Sequence, residues 1–598
     1  MTLLVMGASM DPAFRWPGYV FIAGLGGFCS FRKSFGLHSI SRVSLSYLSL
    51  LLLLIYCVVR QVGSEVIELG INDLIYIIVG IIIYILVSTQ KDIPKSLVGL
   101  LCMLIFANAL AAWFQKVVDP SYSVLSSLGY VRNMHLDRPS GLFLNANHSG
   151  AFSVTVLVFL AAQITFGGVL GKLKLSLFVM SGVLAVVCVA LSESRGAFLA
   201  ATIGFIFLVL MYLLTVSGRR SFRVGIAVFI VVCAIGVVTS VGLSNLDKQR
   251  RNADEAMIFQ TIKNDPRIAL WKSAIDQWKS APIFGNDPGS FKYLELKYRE
   301  PFAAHISETR GIYAHSDVLQ ILSEYGLCGL IFVLFAMGVH LTVGVNACSH
   351  KRSKKDLALV IGASASLVVL LTQSMVEFHL RTPALWVLLC IFLGVIGRYD
   401  STLSNLRFNL NNMILRLCSA ALLFLAATIG VADASVAIAE AELRTGSVLK
   451  ARNLSRLGQR FMPISSRAIG VEGNCFLKLG NSSRTEVVKA SFFLKAAEIY
   501  KRAREKNPYE IEFVLSLTRI YGRIGDLDSA SKYWEIGLDL APKHPAAHLA
   551  KIDALVYCGL FKEAINACED WYRLTGKGVA LQEKRRIERE VFKQNAKR

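Results

Sequence analysis

The sequence predicts an all-α protein: a polytopic membrane domain of eleven or twelve transmembrane helices, followed by a soluble helical repeat domain. Three observations carry this. The 598 residues are 54% hydrophobic and only 18% charged, against roughly 25% charged in an average soluble chain. The apolar residues fall in blocks of about 17 to 25, the length that crosses a bilayer as a helix. From about residue 486 the pattern changes to amphipathic helices with a fixed period. A single soluble enzyme is thereby excluded. Coiled coil, collagen and disorder are excluded too, because heptads, Gly-X-Y periods and polar tracts are missing.

Apolar blocks recur at roughly 43–59, 96–114, 149–166, 176–191, 197–217, 224–243, 326–345, 357–375 and 412–431. Shorter blocks at 74–88 and 383–397 reach span length once flanking residues are added, which makes eleven. The block at 18–31 is too short to assign: it reads as a short span or as a segment that dips into the bilayer.

Orientation follows from Lys and Arg in the short connections. One alternate set of loops holds Arg32, Lys33, Arg42, Lys91, Lys95, Lys172, Lys174, Arg219, Arg220, Arg223, Lys351, Arg352, Lys354, Lys355, Arg398 and Arg407. These loops are expected to be cytoplasmic. The opposite set is Gly/Asn/Ser-rich or acidic (Glu65, Glu68, Asp73) and contains the long connections 115–148 and 244–325. Those loops, and the tail after 431, are expected to face outward. Much of the positive charge behind the net +22 therefore reads as topology, not as a nucleic-acid footprint. Nine of the twelve cysteines lie in or beside apolar blocks, where cysteine behaves as a small hydrophobe. No CxxC or Cys/His cluster has zinc spacing, so no metal site is expected.

In the tail, Pro508 and Pro542, Gly525 and Gly559, and Ala496, Ala530 and Ala564 all repeat at 34 residues. That is the period of a tetratricopeptide (TPR) helix pair. Two full repeats and a preceding helix are expected, ending in a polar stretch, Lys584 to Glu590, that caps the stack. Such a solenoid normally holds a partner protein; packing against the membrane domain is the other reading.

Four polar clusters interrupt the outward ends of the spans, where ionisable groups are expensive and usually functional. They are Gly141 to His148; Ser192-Glu193-Ser194-Arg195-Gly196; the stretch from Arg267 and Trp271 through Pro282, Gly285, Pro288, Gly289 and Phe291 to His315-Ser316-Asp317 and Glu324; and Glu377-Phe378-His379-Leu380-Arg381. The topology puts all four on one side of the membrane. Each also has a plainer reading. Arg195 can be a snorkelling arginine in a short turn, Asn145 and Asn147 can cap the helix starting near 148, His315 can be a helix-start residue, and the Gly/Pro run 282–291 reads as a turn.

The segments Arg267-Ile-Ala-Leu-Trp271, Ala281 to Phe291 and Ala314-His315-Ser316-Asp317 through Glu324-Tyr325-Gly326 to Gly329 resemble the signature region of the bacterial O-antigen ligase and O-antigen polymerase family. Gly141 to His148 and Ser194-Arg195-Gly196 are similar to two further family patterns, in the expected order. The resemblance covers roughly residues 40–400. It departs from the family at Ser316, where an Asn is usual, and at Asp287, where the middle glycine of the Gly-rich turn is usual.

The resemblance implies periplasmic transfer of a glycan from an undecaprenyl-diphosphate carrier to an acceptor hydroxyl, without nucleotide sugar, cofactor or metal, and, with the orientation read from the loop charges, the protein is expected in the bacterial inner membrane with its C-terminal domain in the periplasm. It makes Arg195 and Arg267 the diphosphate-binding arginines and His315 the general base. Glu324, Glu377 and Arg381 are candidates to orient the histidine or close the pocket, and Asn145 and Asn147 to line the cleft for the lipid carrier. The residue chemistry suits the reaction, since a guanidinium fork grips phosphate oxygens bidentately and an unprotonated imidazole accepts a hydroxyl proton. The expected organisation is a glycan-transferase domain over 1–431, a helical linker over 432–485 and TPR-like repeats over 486–598.

Three acceptors fit: lipid A core (ligase), a second lipid-linked glycan (polymerase) or a protein hydroxyl (oligosaccharyltransferase). Ligase ranks first on resemblance alone. Absence of GxxxxGK[ST] argues against an ATP-driven exporter. A transporter of lipid-linked saccharide is the competing class, but it would place its charges at the bilayer midplane in repeated halves. A scaffold anchored by inert spans is a third, and has no use for an Arg/His set on its anchor.

Overall fold

A computed structural model describes residues 15–31, 44–89, 93–124, 136–168, 170–215, 265–300, 311–348, 352–400 and 410–595. Among these residues the regular structure is helical and there is no strand. Nine helices among them are long and apolar enough to cross a membrane, and Pro383–Gly397 is a shorter apolar one. The chain is thus an all-α, multi-pass membrane protein with a helical tail. The expected span 224–243, and most of the cationic loop residues, lie outside the described residues.

The helices of the membrane part are α1 Trp16–Phe31, α2 Leu45–Val62, α3 Ile67–Thr89, α4 Ile93–Val117, α5 Ala146–Phe166, α6 Lys172–Ser192, α7 Arg195–Thr215, α8 Pro266–Ser280, α9 Phe291–Tyr298, α10 Asp317–Cys348, α11 Lys354–Ser374, α12 Pro383–Gly397 and α13 Leu410–Leu425. At the centre stand α5 and α11, with 78% and 83% of their apolar windows buried within the protein. Both are apolar all round, as a helix surrounded by other helices must be. α6 and α7 have only 28% of their apolar windows buried within the protein. The short block at 18–31 becomes α1, whose 16 residues reach ~24 Å against a hydrocarbon core of ~30 Å. It packs Trp16, Tyr19, Ala23 and Cys29 on Ile75, Val79 and Ile82 of α3 and on Leu415 and Leu422 of α13. Gly26 allows the close approach, since a Cβ there would stand 2.5 Å from Ser419 Oγ.

Two spans differ from their sequence limits for identifiable reasons. The 74–88 block extends back to Ile67 because Asp73, which ends the apolar run, is buried and paired with Arg381. The 326–345 block extends forward to Asp317 in a 32-residue helix interrupted at Gly326 (φ 68°, ψ −169°). The Gly/Pro turn fills this break with its own backbone. Leu327 and Cys328 N–H donate to the carbonyls of Pro282 and Ile283 at 2.9 and 3.1 Å, and Asn286 and Asp287 N–H donate to Ser323 and Glu324 at 2.9 and 3.2 Å. A Cβ on Gly326 would lie 2.3 Å from the Ile283 carbonyl oxygen. Gly326→Ala is therefore expected to cost about 1–3 kcal/mol from left-handed strain and overpacking. Thermal unfolding in detergent measures this, and an unchanged midpoint would remove the turn's structural role.

Asp287 has a positive φ of 100°, the left-handed side of backbone space that favours glycine. Its carboxylate is held by Arg60 of α2 at 2.9 Å and by the Glu65 N–H at 3.1 Å. The departure at this position thus carries its own compensation.

The last span runs without a break into the tail: Asn412–Thr445 is one helical rod of 34 residues, ~51 Å long, with a π-helical turn at Ala426–Gly430 joining α13 to α14, Val431–Thr445. Hairpins follow: α15 Val448–Phe461, α16 Ser466–Ser482, α17 Glu486–Lys506, α18 Ile511–Ile524, α19 Leu527–Leu540, α20 Pro545–Tyr557, α21 Phe561–Thr575 and α22 Gly578–Asn595. The 34-residue landmarks have clear roles. Gly525 and Gly559 follow helix ends with φ +85° and +76°, where a side chain would be strained. Ala496, Ala530 and Ala564 are fully buried where helices meet. Ile469 and Phe476 of α16 share the core of the repeats, so packing is continuous across residue 485.

The stack also docks on the membrane part. Leu296 of α9 packs with Ile511, Leu515, Ala541, Ala547 and Ala550. Glu68 accepts from Ser465 Oγ and Ser466 N–H at 3.1 and 2.9 Å. Tyr509 donates to Glu65.

Candidate functional site

His315 lies in the segment that leads into α10, in the left-handed region at φ 52°, where a non-glycine residue is uncommon and marks an imposed conformation. Trp271 Nε1–H fixes its carbonyl at 3.1 Å. The imidazole stands edge-on to Phe378, ring centroids 4.8 Å apart, and Phe378 is stacked on Tyr313 at 4.5 Å. Ser316 Oγ accepts from Leu319 N–H at 3.3 Å and caps α10, a task its side-chain oxygen shares with the usual Asn. Asp317 Oδ2 accepts from Leu380 N–H at 3.0 Å, tying the 377–381 segment to the start of α10.

Glu377 is the hub. Its Oε1 is 2.5 Å from His315 Nδ1, and its Oε2 accepts from Arg267 Nη2 at 2.9 Å and Asn147 Nδ2 at 2.6 Å. Its side chain is 4% exposed, whereas those of His315 and Arg267 are 31% and 33% exposed. The carboxylate thus sits behind two open groups. Burial alone pushes its pKa up, but the His315 hydrogen bond and charge, with Arg267, outweigh burial and bring it down to about 2. An ionised Glu377 at Nδ1 selects the tautomer with hydrogen on Nδ1, which leaves the Nε2 lone pair free to accept a proton. Behind Phe378, His379 is pushed down to about 3 by burial, with His148 adding to it, and is neutral.

The four sequence clusters meet here. Asn147, the Ser192 turn, Arg267 with His315, and Glu377 are joined through hydrogen bonds, and one link is a residue that no sequence pattern singles out. Arg138 donates from Nη2 to Asn147 Oδ1 at 2.8 Å and from Nε to the Ser192 carbonyl at 2.9 Å. Burial lowers its pKa and Arg267 adds to the effect, while Glu193, Asp137 and Glu377 oppose it. The available signal was its position, a cation in the connection 115–148, which the charge rule expects to face outward and to hold few cations.

Arg195 is exposed at the first position of α7, directly after the Ser192–Ser194 turn. Asn145 caps α5, accepting from Asn147 N–H at 2.8 Å, so the capping reading describes it. Glu324 and Arg381 form a second, buried network. Arg381 pairs with Asp73 and with Glu324, Tyr325 donates to Asp73 at 2.8 Å, and Gln320 donates to Glu324 at 3.1 Å. None of the hydrogen bonds described for them reaches His315. They join α3, α10 and the 377–381 segment, a place from which closing the pocket stays the reading for them rather than a direct bond to the histidine. Among the described residues no group of three or more His, Cys, Asp or Glu side chains forms a metal-binding set.

Fold and site together define a polytopic helical membrane protein with an arginine–carboxylate–histidine cluster at the ends of its spans. Residues 180–334 match the family model described as O-antigen ligase. The matched stretch includes Arg195, Arg267 and His315, and the likeness supports a glycan-transferring activity. No curated protein matches the chain. Among solved structures it is similar to a thermophilic TPR protein of Thermus thermophilus, at 19% identity over 30% of this chain and 91% of that one, with a TM-score of 0.24.

Proposed function

We propose that the protein transfers a glycan from an undecaprenyl-diphosphate carrier to an acceptor hydroxyl at the periplasmic face of the inner membrane, as an O-antigen ligase does. The observation that carries this reading is the His315–Glu377–Arg267 cluster, an oriented base beside a partly open guanidinium. His315 Nε2 takes the proton of the acceptor hydroxyl as its oxygen attacks the anomeric carbon. The bond from that carbon to the diphosphate oxygen breaks, and the electron pair leaves with undecaprenyl diphosphate. Arg267 and Arg195 are the groups that bind the diphosphate and stabilise the charge growing on it.

Two experiments test the reading. Arg195→Ala is expected to lower transfer by about a hundredfold or more in membranes where the variant is present at normal level; undiminished transfer would remove Arg195 from the site. Deleting the protein is expected to leave polymer on the carrier and lipid A core without it. Accumulation of single repeats would instead make it a polymerase, and loss of protein glycosylation an oligosaccharyltransferase. None of the three would overturn glycan transfer; an unchanged glycan profile would.

A further inference from the structure

Arg138 stands between the two parts of this site. Its Nε–H and Nη2–H both point at the Ser192 carbonyl oxygen, at 2.9 and 2.5 Å, the last carbonyl of α6, where the helix dipole concentrates negative charge. The same Nη2 reaches Asn147 Oδ1 at 2.8 Å, Asn147 Nδ2 reaches Glu377 Oε2 at 2.6 Å, and Glu377 Oε1 holds His315 Nδ1. A continuous chain of hydrogen bonds therefore runs from Ser192 to the imidazole. Ser192 lies three residues before Arg195. The intervening turn is Glu193-Ser194, with Glu193 left-handed at φ 47°, so the conformation at 192–194 sets where α7 begins and where Arg195 is presented.

We propose that Arg138 is a positioning residue: it holds the turn that launches Arg195 in register with the His315–Glu377 pair, so that the diphosphate and the acceptor hydroxyl meet at reacting distance. This inference rests on the glycan-transfer reading above. A guanidinium suits the task because its rigid fork serves two acceptors in different directions at once, which the single point charge of a lysine does not. Positioning matters on the scale of the site, since a ~1 Å misplacement costs on the order of a hundredfold in rate.

The test uses the full-length protein in nanodiscs, undecaprenyl-diphosphate-linked glycan as donor and the acceptor that the deletion experiment assigns, with free undecaprenyl diphosphate as the binding probe. Arg138→Gln is expected to lower kcat about a hundredfold while binding undecaprenyl diphosphate as the wild type does. Arg138→Lys is expected to recover little of the loss. Unchanged kcat, full rescue by lysine, or a rate loss accompanied by tenfold weaker binding of undecaprenyl diphosphate would each overturn the proposal; the last would make Arg138 a ligand of the diphosphate. If Arg138→Gln fails to fold, Asn147→Ala breaks the same chain from its other side, and wild-type kcat there would overturn it equally. Transfer retained by His315→Ala would sink the underlying reading instead, whatever Arg138 does.

Discussion

His315→Ala should abolish glycan transfer while leaving the protein inserted and folded. The imidazole is 31% exposed and one of its nitrogens is committed to Glu377, so its removal opens space at the edge of the site and leaves no large void in the core. Positioned general-base catalysis contributes about 10²–10⁴ in rate, and a loss of that size is expected at unchanged protein level in the membrane. Transfer at the wild-type rate with His315→Ala would end the proposed mechanism. His315→Gln serves as the companion variant: it restores hydrogen bonding to Glu377 without a titratable nitrogen, and should be as inactive as the alanine.

Glu377→Gln should combine a catalytic and a stability defect, and the two separate by pH. Losing the carboxylate removes the group that fixes the imidazole tautomer and leaves Arg267 without its partner, so a rate loss on the order of a hundredfold or more is expected. For stability, the loss should fall below the ~3–5 kcal/mol of a fully buried pair, because the Arg267 left behind is 33% exposed and stays partly solvated. The sign follows from the shift. The folded-state pKa of Glu377 is depressed to about 2, against ~4.3 in an unfolded chain. Its stabilisation is therefore fully present above that unfolded value and is lost as pH falls through the window down to about 2. Unfolding in detergent at neutral and acid pH should show the gap between wild type and Glu377→Gln narrowing in that window. A gap that stays constant would mean the ionised carboxylate is not what stabilises the site.

Asn147 and Glu377 were legible because each flanks an apolar block, where a polar group is costly unless it is used, whereas Arg267 and His315 lie in the long connection 244–325 and stood out through the family resemblance. Glu324 and Arg381 carried the same signal for a different reason. They satisfy each other and Asp73 across three segments distant in sequence, and no local pattern separates a bracing ion cluster from a reacting one. Arg138 was hidden for the converse reason: it lies in a loop with no periodicity around it, and what links it to the site is a hydrogen bond to a carbonyl 54 residues away. Asp287 reads as a defect in a glycine-rich turn until Arg60 is placed beside it. The helical repeats were legible in detail because their landmarks are local backbone requirements, such as the left-handed turns at Gly525 and Gly559. The break at Gly326 was not, since the Pro282–Asp287 turn that completes it comes from another part of the chain.

The seating of Leu296 among Ile511, Leu515, Ala541, Ala547 and Ala550 bears on how the tail can be studied. That surface of the repeats is occupied by the protein's own loop, so a visiting partner has to engage a different one. Truncating the tail would strip the cover from α9, which also secures α8 through the Ser273 bond to the Glu295 carbonyl at 3.1 Å and the approach to His315 through the Gly311 N–H bond to Glu295 at 3.2 Å. A truncated protein that no longer transfers glycan would then report a loosened active site, and could be mistaken for one that has lost its docking platform. Surface substitutions on the repeats away from α9 are the cleaner way to look for a recruited partner.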